Sequence, residues 1–196
     1  MIESIRKGNP SILLLDCGSL FAPQVEEGGA ELQLKVMERL GYDAMGLGIP
    51  ELHYGREFLE RSRSLVSFPY IASNLLYGGV RPSWVKEYVI KEVGGVKAAI
   101  LGILDPEEFE HRLGSADPKG FKVTSPREAL ERLLPEVKGK ADIVVLLSQL
   151  DETRNRELVG EIPGIDVSVS SGMSGQLMSM MIPQGRVVIL NTGIVG

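Results

Sequence analysis

Histidine and cysteine are the scarce residues of this 196-residue chain, which has two of the first and one of the second. A single cysteine excludes an intrachain disulfide. Two histidines can supply only part of any histidine-rich metal shell. Long apolar runs are missing as well: the longest, "AAILGIL" at 98–104, is far short of the roughly 20 residues that span a bilayer. No membrane span is expected. Basic charge is in short supply too, with 21 Lys and Arg against 26 Asp and Glu for a net charge of −5. Without a clustered positive face a nucleic-acid backbone has little to bind, so no nucleic-acid partner is expected. The amino-terminal "MIESIRKGNP" has no apolar core of the secretory kind, which leaves the compartment open.

What is present is an ordinary globular composition, 43% hydrophobic and 24% charged. A chain of this length fits one domain, residues 1–196, and can bury roughly 70% of its unfolded surface. "SILLLD" (11–16) reads as a strand buried on both faces. "GGAELQLKVMERLG" (28–41) places Leu32, Val36, Met37 and Leu40 at helical spacing before Gly41, a C-cap. "DAMGLG" (43–48) is a short strand, and the following "GIPELHYG" reads as a loop. "YGREFLERSRSL" (54–65) reads as a helix and "FPYIASNL" (68–75) holds a strand. Two β-rich runs flank Gly94-Gly95 within 85–104, which predicts a hairpin with a tight turn. Residues 105–123 read as a long irregular excursion. "TSPREALERLLPEV" (124–137) begins a helix with Thr124 or Ser125 as N-cap and Pro126 in the first turn. "ADIVVLLSQ" (141–149), "IDVSVSS" (165–171) and "GRVVILNTG" (185–193) are strands, with a charged helix at 151–162. Strands alternating with helices imply a parallel sheet, to which the hairpin adds an antiparallel element. The fold class is mixed α/β.

Read in order, these segments resemble the metallophosphoesterase (calcineurin-like) domain of the 5′-nucleotidase and 2′,3′-cyclic-nucleotide phosphodiesterase family. "LLLDCGSLF" resembles the family's Asp-x-Gly-Asp strand end, and "LGYDAMGLGIPELHYG" its "LGYDA…GNHEFDYG" block. "FPYIASNL", the hairpin, "FKVTSPREAL", "IVVLLSQL" and "GIDVSVSSG" are similar to the segments that follow there. The resemblance implies a mixed β-sheet sandwich between helices, in α/β/β/α layers. It also implies a domain that starts after the family's first strand, the one carrying Asp-x-His, and hence a fragment of a longer protein. An extracytoplasmic location is a further implication.

Members of the family are similar in using two divalent metals to activate a water and clamp a phosphate. Carried over by position, the metal-bridging Asp is Ser19 here. The Asn ligand is Ile49, the neighbouring catalytic His is Pro50, and the Asp that orients it is His53. A further ligand His is Gln149, and the paired histidines of the last loop fall on Gly172 and Ser174, or on Met173 and Gly175 after a one-residue shift. Asp16 and Glu51 are retained, where they organise the loop. Neutral hydroxyls and amides cannot balance two divalent cations, so neither a metal cofactor nor a catalytic residue is expected, and these positions are remnants of a site. His53 reads as a hydrogen-bonded loop residue and His111, amid glutamates, as solvated surface. Cys17 reads as a small buried hydrophobe. "GMSGQLMSMM" (172–181) carries four of the seven methionines, irregularly spaced, which suits packing or a partner contact better than a soft metal.

The leading expectation is a degenerate 5′-nucleotidase-like domain with a binding or accessory role, whose partner is another protein, the rest of a longer chain or, on weaker grounds, a small phosphate-ester ligand. The alternatives are an altered phosphoesterase acting on nucleotides or other phosphate esters, and an interaction module of an extracytoplasmic assembly.

Overall fold

A computed structural model describes residues 8–9, 11–21, 24–113, 120–170, 182–184 and 187–191. Two sheets form its centre. The first is wholly parallel, in the order β1 (Leu15–Asp16), β2 (Ala44–Gly46), β3 (Tyr70–Ile71) and β5 (Val85–Lys86). The second has six strands, in the order β11 (Ile182–Gln184), β12 (Val187–Asn191), β10 (Val167–Ser170), β9 (Ile143–Ser148), β7 (Val96–Ile103) and β6 (Tyr88–Val93). Its four central strands are parallel and its two edge strands antiparallel. A small ladder pairs β4 (Leu75–Tyr77) with β8 (Phe121–Val123). Around the sheets lie α1 (Glu27–Leu40), α2 (Ile49–His53), α3 (Arg56–Ser62), α4 (Pro106–Leu113), α5 (Pro126–Lys138) and α6 (Glu152–Glu161).

Side-chain alternation along the strands produces the layers. On β7 and β9, Ala99, Leu101, Val144 and Leu146 point to a core shared with α5 and α6. Ile100, Val145 and Leu147 point the other way, meeting Cys17, Ala44 and Ile71 of the first sheet. The opposite face of that sheet, Met45 and Tyr70 among others, packs with Leu34 and Met37 of α1 and Phe58 of α3. Three cores therefore lie between four layers, the α/β/β/α sandwich that the resemblance implied.

One local device recurs before three of the parallel strands. Asp43, Asp142 and Asp166 each receive the backbone N–H of a flanking strand on Oδ2, from Leu14, Lys97 and Val144, all at 2.8 Å. Each also donates its own N–H back to the same residue's carbonyl. The carboxylate thus closes a ladder at the strand's entry, where a backbone partner has run out.

The hairpin turning at Gly94-Gly95 is observed, with Val93 opposite Val96. Helix α5 begins with Ser125 accepting from the Glu128 N–H, which selects Ser125 over Thr124 as the cap. Gly41 caps α1 in a left-handed conformation. Three expectations need correction. Residues 11–16 form a strand only at Leu15–Asp16, and both are half-buried rather than covered on each face. Residues 105–113 are not irregular, because Asp105 caps the Glu107 N–H at 3.0 Å and Phe109 buries into the first core, together nucleating α4. "GIPELHYG" is not a plain loop, since Ile49–His53 form one helical turn with Pro50 at its start and Glu51 bonding back to Gly48. Residues 114–119 and the Met-rich 172–181 lie outside the described residues.

Candidate functional site

The carboxyl ends of β1, β2 and β9 converge, and four of the remnant-site residues meet there. Glu51 is the hub. It is fully buried, and its two oxygens accept the backbone N–H groups of Ser19 (2.9 Å), Gly48 (2.7 Å) and Phe21 (3.0 Å). One carboxylate thereby fixes the loop after β1 against the loop after β2. Close backbone approach makes this possible only with glycine: a Cβ on Gly48 would stand 2.6 Å from the Ser19 nitrogen and 2.8 Å from the Glu51 carboxylate. Gly18, with φ of +93°, turns the first loop so that it can reach.

Asp16, at the end of β1, accepts the Gly18 N–H at 2.8 Å. Burial pushes its carboxyl up to about 7; the Gly18 hydrogen bond opposes this and the nearby Glu51 adds to it. Burial also raises Glu51, against the three N–H groups that stabilise its charge. Tyr42 is raised by burial and by Asp16.

Ser19 is the one described non-glycine residue with positive φ, at +63°. Its hydroxyl donates to Gln149 Oε1 at 2.7 Å, and Gln149 Nε2 donates to the Cys17 carbonyl. The two residues at family ligand positions are thus tied to each other and to the backbone. Ile49 is 4% exposed and belongs to the first core, beside Leu52 and Phe21. Pro50 is half-buried at the start of α2. His53 is exposed at the end of that turn, and His111 is exposed on α4. Cys17 is buried with Sγ 3.0 Å from the Val169 carbonyl, as expected of a small apolar residue. Gly172, Met173 and Ser174 lie outside the described residues. Among the described residues no three or more His, Cys, Asp or Glu side chains are grouped so as to hold a metal ion. No helix there is long and apolar enough to cross a membrane.

A second cluster escaped the sequence reading. Arg154 of α6 reaches Asp105, Glu107 (2.9 Å) and Asp151 (2.5 Å). Asp105 caps α4 and Asp151 caps α6, so a single guanidinium joins two helix starts at the ends of β7 and β9. Burial opposes the charge on Asp151, but the Arg154 N–H groups and guanidinium hold its carboxyl below the usual range. The Asp-x-x-Arg spacing of 151 and 154 and the Asp-Pro-Glu-Glu at 105–108 were the available signals.

These layers and strand-end loops define a metallophosphoesterase-fold protein. The chain is homologous to proteins named metallophosphoesterase and 5′-nucleotidase. It is 34% identical over 182 residues to the uncharacterized metallophosphoesterase YunD of Bacillus subtilis, matching 87% of this chain and 38% of that protein. It is 25% identical over 177 residues to a 5′-nucleotidase of Vibrio cholerae, matching 88% of this chain and 32% of that one. Among solved structures, the Thermus thermophilus 5′-nucleotidase precursor superposes with a TM-score of 0.79 at 20% identity, covering 97% of this chain and 41% of its own. The sulfate thiohydrolase SoxB of the same organism gives 0.81 at 20% identity, covering 98% and 36%. No family model matches. The chain spans between about a third and two fifths of the length of these curated relatives.

Proposed function

We propose that this chain is a metallophosphoesterase-like domain within a longer protein, that it has exchanged metal-dependent hydrolysis for a binding or accessory role, and that it takes up no metal pair. The observation that carries this reading is the fate of the ligand positions. Ile49 lies in the hydrophobic core, Pro50 starts a helical turn, and Ser19 and Gln149 bond to each other, Gln149 also reaching the Cys17 carbonyl. These side chains do not fit two divalent cations, which need several anionic or imidazole donors free to converge. Glu51 commits both oxygens and Asp16 its Oδ1 to backbone N–H groups, which supports a role in shape.

The test is elemental analysis after incubation with manganese or zinc, beside an assay with p-nitrophenyl phosphate. Substoichiometric metal and hydrolysis at the buffer rate are the expected results; two bound metals per chain with brisk hydrolysis would overturn the proposal. The names of the relatives favour a second reading, a phosphoesterase acting on nucleotides or other phosphate esters. Activity of the longer protein, lost when the region outside residues 1–196 is removed, would select it. An interaction module of an extracytoplasmic assembly is the form the binding role takes if native pull-downs recover a partner that Ser replacements at Met178, Met180 and Met181 release. Cell fractionation tests the location.

A further inference from the structure

A cleft of about 400 Å³ opens between the first turns of α4 and α5 and the exposed face of α6. Its apolar walls are Leu150, Leu158, Pro106 and Pro126, the two leucines being buried side chains. Its charged groups are unbalanced. Arg127 is paired with Glu161, and Arg154 with Asp105, Glu107 and Asp151. Glu157 also lines the cleft, and it has no hydrogen bond or ion pair among the described residues. Three lining carboxylates, Glu107, Glu157 and Glu161, therefore face two guanidiniums that are both already engaged, and Glu157 is the lining carboxylate left without a cation among the described residues.

This arithmetic decides the class of ligand. An anion is disfavoured by the excess of negative charge. The helix starts offer it nothing either, because Asp105, Ser125 and Asp151 already cap the N–H groups of Glu107, Glu128 and Arg154. A divalent metal is disfavoured because no three carboxylates among the described residues are grouped to hold one. What fits is a single positive charge on a stem that can lie along leucine and proline. The volume falls within the range of small-molecule sites, and the stem of an amine gains from burial while its head stays near a carboxylate.

We propose that this cleft binds an alkylammonium ligand, a primary amine on a short apolar chain, with Glu157 as its counter-charge. The same chemistry is available from a free amine and from a lysine side chain of a partner. Calorimetric titration of the chain with 1,5-diaminopentane and, separately, with Nα-acetyl-lysine methylamide distinguishes them. One saturable site is expected for at least one probe, weakened by added salt and about two- to fivefold weaker in Glu157→Gln, the effect of losing one solvent-exposed ion pair. Glu110→Gln, exposed on α4 and away from the cleft, serves as the control and leaves affinity unchanged. Binding of the diamine alone identifies a free amine as the ligand, and equal or tighter binding of the lysine derivative identifies a partner's side chain. Absence of saturable binding by either probe at millimolar concentration would overturn the proposal. So would equal affinity in Glu157→Gln, or one-for-one displacement by magnesium.

Discussion

Two carboxylate clusters stand at the carboxyl edges of the two sheets, each with one buried member, Glu51 or Asp105, and they satisfy burial in opposite ways. At the ends of β1 and β2, Glu51 and Asp16 bond only to backbone N–H groups, and neither forms an ion pair among the described residues. At the ends of β7 and β9, Asp105 and Asp151 share the guanidinium of Arg154. The contrast appears in their acidities: burial raises Asp16 and Glu51, whereas Asp151, against the same effect of burial, is held low by the Arg154 backbone N–H and guanidinium. Among the described residues no cationic side chain pairs with Asp16 or Glu51, and burial favours their neutral forms.

Removing the hub of the uncompensated cluster should have the largest effect. Glu51→Ala strands three backbone N–H groups in the core, and each unmet buried donor costs about 1–3 kcal/mol. The expected destabilisation is about 4 kcal/mol, read from the urea midpoint at constant slope. Glu51→Gln, which keeps one accepting oxygen, should fall between this variant and the parent. A loss below about 1 kcal/mol would mean that the two loops hold together without the carboxylate.

The compensated cluster breaks differently. Arg154→Ala leaves Asp105, only 2% exposed, as a buried charge without its partner, a defect worth about 3 kcal/mol. Adding Asp105→Asn to that variant should recover part of the loss, because the amide still accepts the Glu107 N–H without carrying charge. Additive losses in this double-mutant cycle would deny the coupling.

The pH response separates the clusters more finely. Asp16 ionises near 4 in the unfolded chain and near 7 in the folded one. Its neutral form is thus favoured by folding: the stabilisation is whole below pH 4 and fades as pH rises through 7. A shift of this size corresponds to as much as about 4 kcal/mol between pH 4 and 8. Comparison of denaturation curves for the parent and Asp16→Asn across that window isolates the contribution. The parent should lose more stability than the variant as pH rises; parallel curves would show that folding does not shift the ionisation of Asp16.

Much of this frame was legible, and the reasons differ by element. The hairpin announces itself through Gly94-Gly95, α5 through Ser125-Pro126 and Glu128, and α1 through Gly41, because caps and turns are chemistry between near neighbours. Helix α4 was equally local, with Asp105 before Pro106, yet the glutamates and glycines around it read as surface loop. The short turn Ile49–His53 went unseen because its stabilising bond, Glu51 to Gly48, depends on a carboxylate also committed to Ser19 and Phe21, 32 and 30 positions away in chain order. Arg154 presents the same difficulty, since its main partner, Asp105, lies on another strand end. The cluster of Asp16, Ser19, Glu51 and Gln149 was assembled from resemblance, and only coordinates could show Ser19 bonded to Gln149.

That bond gives the smallest and most discriminating test at the first edge. Ser19 holds a left-handed backbone at φ +63°, which disfavours most L-residues by about 1–2 kcal/mol, and its hydroxyl returns roughly 1 kcal/mol through Gln149. Ser19→Ala removes the hydroxyl and keeps the strain, so a loss of about 1 kcal/mol is expected. Ser19→Gly removes both, and the two changes should nearly cancel, apart from the added entropy of glycine in the unfolded chain. Thermal melts of the three proteins therefore rank the parent and Ser19→Gly together, with Ser19→Ala below. If Ser19→Gly instead melts as low as Ser19→Ala, the hydrogen bond to Gln149, and not the turn, is what keeps the loop after β1 in place.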